Sequence, residues 1–412
     1  MSPQSIIRPA VPIAVCLLSG CLGGNGTSVP AASPTPVLNT TVLVVDGGPA
    51  GTSGAINHAY VTVNVCAAGS QMQCADIDHV LLDTGSSGLR LVRSVLAAHT
   101  VALTPLADAA NRTIEECMSF VGGQTWGPVA LADVRLAGET AGKLPVQIMD
   151  DTSSDAPPPA TCGANGTLIN AVSGFDANGV LGVGVFAQDC GQACVAAASP
   201  LPVYYGCTSA GVCTAENTGL TEQVANPVAS FAADNNGIIV SLPTLQSANG
   251  DASVQGTLTF GIATQTDNAL PAAGVVVLGT DASGDFSTVY NGAAAAIPAL
   301  IDSGTDSYGF NDPTIAVCAT GAFVGYYCPA IAPLSASAVN TGVGANAMSS
   351  TVNFALADPN TFVANATAFI DLGGGGGSTT FTWGMPFFYG RPIYLGIDQR
   401  TADIYTGPFY AY

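Results

Sequence analysis

The sequence predicts an all-β protein made of two related halves, and three observations carry that prediction. The chain is 48% hydrophobic and only 9% charged, and Gly, Ala, Val, Ser and Thr are abundant. Such a composition suits many short strands joined by tight turns, and fits neither a Glu- and Lys-rich helical bundle nor a solvated disordered chain. Alternating or β-branched runs recur at 41–45, 59–65, 79–82, 238–242, 254–260 and 274–278, divided by Asn-Gly pairs at 165–166, 178–179, 236–237, 249–250 and 291–292. Finally, an apolar run ending in Asp, a hydroxyl residue, Gly and a hydroxyl residue stands near the start of each half.

Residues 1–20 read as a targeting segment. Arg8 supplies a weak basic region, 11–18 are apolar, and Leu18-Ser19-Gly20-Cys21 resembles the lipobox of bacterial lipoproteins. That resemblance implies cleavage before Cys21 and lipidation of its thiol, with the membrane met only through the lipid; an ordinary secretory signal is the alternative. The apolar run is too short to stay as a spanning helix. Two or three acyl chains on one Cys anchor stably, whereas one binds only marginally. Leu22 follows Cys21 where sorting rules for inner-membrane retention want Asp, so the expected location is the bacterial cell envelope, at the outer membrane. Residues 21–38, rich in Gly, Ser, Pro and Ala, read as a flexible tether.

Cysteine usage agrees with export. Apart from Cys16 and Cys21, ten of the 12 cysteines remain. Cys66 and Cys74, Cys190 and Cys194, Cys207 and Cys213, and Cys318 and Cys328 are near neighbours, while Cys117 and Cys162 are left over and free to pair. In an oxidising compartment this reads as a disulfide framework, although spacing alone leaves the connectivity open. Zinc on Cys190, Cys194, Cys207 and Cys213 is the alternative. His58, His79 and His99 lack metal-ligand spacing, and no metal or cofactor is expected. With 8 Lys or Arg against 28 Asp or Glu, the formal charge of −20 repels phosphate backbones and excludes a nucleic-acid partner.

The chemistry lies in the repeated motif. The first copy is Val80-Leu81-Leu82-Asp83-Thr84-Gly85-Ser86-Ser87 and the second Ala299-Leu300-Ile301-Asp302-Ser303-Gly304-Thr305. Each is followed, roughly 80–100 residues on, by a hydrophobic-Gly element: Val180-Leu181-Gly182 and Thr382-Trp383-Gly384. An apolar strand brings each Asp to a rim, and Gly85 and Gly304 let backbone N–H groups approach the carboxylates by adopting conformations closed to other residues. Ser86 and Thr305 are placed to bond the outer carboxylate oxygens, and Thr84 and Ser303 to brace the two loops. Two carboxylates about 3 Å apart share one proton and titrate in separated steps. Such a pair takes a proton from a bridging water and donates one to a scissile carbonyl, which is general acid–base catalysis without metal or covalent intermediate.

On these motifs the chain resembles pepsin-type aspartic peptidases, and more closely a group of bacterial lipoproteins related to them, over about residues 40–412. The resemblance implies a bilobal fold with lobes at 39–235 and 236–412 and a cleft between them. It also implies Asp83 and Asp302 as catalytic residues and a peptide or protein substrate; it is silent on oligomeric state. Phe120-Val121-Gly122-Gly123-Gln124-Thr125-Trp126-Gly127 matches the family's flap hairpin, with Phe120 and Trp126 as substrate-side residues. A pepsin-fold lipoprotein that binds peptide or glycan without cleaving it is the second expectation.

Three departures stand out. The flap has Phe120 where the family usually has Tyr, with Trp126 as a nearby substitute. Asp306 follows the second motif in place of a small hydroxyl residue. Pointed inward it would raise the pair's proton affinity, and pointed to solvent it would do little. The tether is short and free of basic residues, unlike the basic pro-segment that masks the cleft in pepsin-type zymogens.

Overall fold

The second half begins as the first does. A strand carrying an Asp at its end runs parallel to a later strand with a hydrophobic-Gly ending. In a computed structural model that describes residues 38–412, apart from 53, 153–155, 163–166, 248, 272 and 376–378, the fold is all-β. The targeting segment, Cys21, the tether up to 37 and the Asn165-Gly166 turn lie outside the described residues.

In the first half, Cys74–Asp83 pairs in parallel with Gly179–Val183, setting Leu82 opposite Leu181 and Asp83 opposite Gly182. Ser87–Val92 returns antiparallel to Gly179–Val183 and joins Glu139–Met149 in parallel. Gly123–Leu136 and Ala59–Ala67 complete a ring, because Gly123–Leu136 pairs with both Glu139–Met149 and Ala59–Ala67. Over its last four residues Cys74–Asp83 is buried on both faces and reads as the apolar run Val80-Leu81-Leu82 before the Asp.

The second half repeats the arrangement in a seven-stranded sheet. Ile297–Ile301 runs parallel to Phe381–Trp383, with Ile301 opposite Trp383, and Tyr308–Phe310 returns antiparallel to Phe381–Trp383. Tyr290, Phe310, Phe354, Phe381 and Trp383 pack around this sheet, their ring centroids 4.6–6.4 Å apart in the pairs that touch.

The halves are sewn together by strands that cross between them. Thr40–Val45 pairs with Val254–Phe260, and Gly237–Ser241, Pro392–Gly396, Phe409–Ala411 and Val277–Gly279 extend the same sheet. One apolar core runs from Leu43 to Tyr410, and Leu38–Tyr412 forms one compact unit. The run expected at 274–278 becomes a strand at Val277, just after Val276, which exchanges backbone hydrogen bonds with Tyr412 at 2.9 and 3.2 Å.

Among the described residues five disulfides form: Cys66–Cys74, Cys117–Cys162, Cys190–Cys194, Cys207–Cys213 and Cys318–Cys328. The zinc alternative is thereby corrected, because each of its four thiols is bonded to another sulfur. Among the described residues no helix is long and apolar enough to cross a membrane.

Candidate active site

Each Asp loop is built by the same local rule. At Asp83 the Gly85 N–H donates to Oδ1 at 2.8 Å and the Ser86 hydroxyl donates to Oδ2 at 2.5 Å. At Asp302 the Gly304 N–H donates to Oδ1 at 2.8 Å and the Thr305 hydroxyl donates to Oδ2 at 2.6 Å. The loops are locked by a reciprocal set of bonds. The Thr84 hydroxyl donates to the Ile301 carbonyl at 2.9 Å and accepts from the Ser303 N–H at 2.9 Å. The Ser303 hydroxyl donates to the Leu82 carbonyl at 2.7 Å and accepts from the Thr84 N–H at 3.1 Å. Thr84 and Ser303 are almost wholly buried, so each of these bonds satisfies a group that water cannot reach.

The lock brings the two carboxyls within side-chain hydrogen-bonding reach of each other. Burial, then the Asp83 charge, pushes Asp302 up to about 7, against the Thr305 and Gly304 hydrogen bonds that favour its ionised form. The pair therefore holds a proton between its members through the acidic range.

The glycines act through space rather than through unusual backbone angles, which corrects the expectation for Gly85 and Gly304; neither has a positive φ. A Cβ on Gly85 would lie 2.5 Å from Asp302 Cγ, and one on Gly304 would lie 2.8 Å from Asp83 Oδ1. Any side chain there would push the carboxyls apart.

A cleft of about 520 Å³ opens over the pair. Thr113–Phe120 and Gly123–Leu136 form a hairpin whose tip, Val121-Gly122, reaches over it, with Phe120 and Val121 in the lining. The Phe120 ring stacks edge-on against Phe175, 5.1 Å away, and the Arg90 guanidinium lies 5.6 Å from its centre.

Trp126 is not a cleft residue, and its assignment to the substrate side is corrected. It sits opposite Cys117 in the hairpin register, fully buried, its ring on Tyr205 and its indole N–H donating to the Ala156 carbonyl at 2.8 Å. Asp306 turns away from the pair: its carboxylate accepts the Tyr326 hydroxyl, and it does not line the cleft. His58, His79 and His99 are also outside the lining.

Other polar groups at the site are invisible in the motifs. Behind Phe120, the wholly buried Arg90 pairs with Glu116 at 2.6 Å and Asp189 at 3.0 Å, and the Tyr204 hydroxyl donates to Asp189 at 2.7 Å. Burial, then the Glu116 charge, drives Asp189 well above the ordinary aspartate range. A lone Arg inside the apolar stretch Leu89-Arg90-Leu91-Val92 is the signal that could have exposed this cluster, in a chain with just 8 Lys or Arg. Asp285 and Tyr410 also line the cleft, and no spacing announces them.

No curated protein matches the chain. Residues 35–412 match the family described as protein of unknown function (DUF3443), nearly the whole chain, and it is to this family that the protein belongs.

Proposed function

We propose that this chain is an aspartic endopeptidase of pepsin-like, bilobal design, held at the bacterial cell envelope by a lipid on Cys21. The observation that carries the reading is the facing of Asp83 and Asp302, each bonded by its own glycine N–H and hydroxyl, with the Asp302 carboxyl raised to about 7 by burial and by its partner. A water bridging the two carboxyls would lose a proton to the ionised member while the other protonates the carbonyl oxygen of an extended peptide. The resulting tetrahedral adduct collapses as the proton returns to the leaving nitrogen. The cleft above the pair and the Phe120 hairpin over it suit an extended chain.

Phe120 is the observation that favours the second reading, a cleft that holds peptide or glycan without cleaving it. Its ring offers no hydroxyl to orient the substrate. Asp306 gives no support to that alternative, because its carboxylate is engaged by Tyr326 and is turned away from the pair.

A peptide-library digest from pH 3 to pH 8, with and without pepstatin, decides between them. Asp83→Asn and Asp302→Asn are each expected to lower cleavage by about 10²–10⁴-fold. Wild-type activity is expected to fall as pH rises through about 7, where the pair loses its shared proton. No cleavage at any pH, with peptide binding retained, would overturn the peptidase reading.

A further inference from the structure

One carboxylate on the cleft wall belongs neither to the facing pair nor to the Arg90 cluster. Four aspartates line the cleft, and among the described lining residues there is no Lys, Arg or His. Three are committed. Asp83 and Asp302 face each other, and Asp189, with 1% of its side chain exposed, is held by Arg90 and the Tyr204 hydroxyl.

Asp285 is the fourth. It is half-buried, and what acts on its carboxylate is loss of water and the like charge of Asp281, both of which raise its proton affinity. Among the described residues it has neither a hydrogen-bond donor nor a counter-ion for its side chain. A carboxylate partly removed from water without a compensating cation is left short of one.

Its place is set by the sheet. Phe286 pairs with Ala299, so Asp285 leaves the strand beside Leu300, close in sequence to Asp302. The Tyr410 hydroxyl, in the same lining, lies within electrostatic reach of Asp302, Asp285 and Asp83 together. Gly284 approaches the Phe186 ring so closely that a Cβ there would sit 3.1 Å from it. Asp285 thus stands at the end of an apolar strip formed by Val185, Phe186 and Leu300, all of them lining residues.

We infer that Asp285 selects peptides carrying a Lys or Arg side chain beside the bond presented to the catalytic pair. The aliphatic stem of such a side chain lies along Leu300 and Phe186, and its charged head meets the Asp285 carboxylate. The inference rests on the peptide-cleft reading and narrows its substrate class.

The test uses the full chain and its Asp285→Asn variant with two peptides that are identical except for a central Lys or Gln. Binding is read by fluorescence anisotropy and cleavage by mass spectrometry, both at pH 6. The Lys peptide is expected to bind the wild type about tenfold more tightly than the Gln peptide. In Asp285→Asn that advantage disappears, while the Gln peptide binds as before. No preference in the wild type, an unchanged preference in the variant, or no binding of either peptide overturns the inference. Cleavage of both peptides without preference removes this inference and leaves the peptidase reading standing. A Lys preference in binding that depends on Asp285, with neither peptide cleaved, does the reverse.

Discussion

Arg90 stands in the strand Ser87–Val92, all of whose residues are buried. Its guanidinium pairs with Glu116 and Asp189 at once, yet among the described residues its Nε and Glu116 Oε2 have no hydrogen-bond partner. Burial, and then a second carboxylate sharing the one cation, drive Asp189 upward, so that a proton covers the charge left over. Removing the cation alone strands both acids in the interior, and breaking such a buried cluster costs about 3–5 kcal/mol. Arg90→Met is therefore expected to lower unfolding stability by that amount in urea titrations. Adding Glu116→Gln and Asp189→Asn to it should recover most of the loss. A single variant as stable as the wild type would show that the cluster contributes nothing. The motif residues were legible at this scale because their chemistry is local: an Asp, the N–H two residues on and the hydroxyl three residues on. Arg90, Glu116 and Asp189 were not, since their meeting depends on three separate segments.

The hairpin under Phe120 shows what can be read at the scale of an element. Gly122-Gly123 between two extended runs marks the turn, and the register follows with Phe120 opposite Gly123. Which side chains face the cleft is a matter of parity. Cys117 and Trp126 are opposite one another and share a face, while Phe120, three residues from Cys117, points to the other. Trp126 therefore packs inward with the Cys117–Cys162 disulfide and Tyr205. That disulfide ties the hairpin arm to a segment 45 residues away. Replacing both cysteines by Ser is expected to cost about 2–4 kcal/mol by freeing the unfolded chain. Thermal melting of the double variant against wild type checks this. An unchanged melting temperature would mean that the ladder alone holds the arm.

At the scale of the whole molecule, the facing of Asp83 and Asp302 has a consequence for stability. Asp302 sits near its ordinary value when unfolded and at about 7 when folded, so between those limits the folded chain binds more protons. Its contribution to stability is complete below the ordinary carboxylate range and is lost as pH rises through about 7. Asp302→Asn removes the burden of burying that charge. It is expected to be more stable than wild type by up to about 4 kcal/mol at pH 8, with the difference gone near pH 4. Urea midpoints at the two pH values test this, and a variant weaker at pH 8 would contradict it.

Asn57 illustrates why the joining of the halves could not be read in advance. Its amide donates to the carbonyls of Asp306 at 2.7 Å and Phe369 at 2.9 Å, and accepts from the Phe369 N–H at 2.7 Å and the Tyr389 hydroxyl at 2.9 Å. In the sequence it is one polar residue before a strand. The all-β class, the two Asp loops and the hairpin were determined by the sequence alone, because alternation, turn residues and hydrogen bonds between near neighbours act over a few residues. The meeting of the two carboxyls, the burial of Arg90 between two acids and the solitary position of Asp285 were decided by the tertiary structure. Desolvation and charge coupling depend on what lies within a few ångströms in space, and those neighbours come from segments tens to hundreds of residues apart.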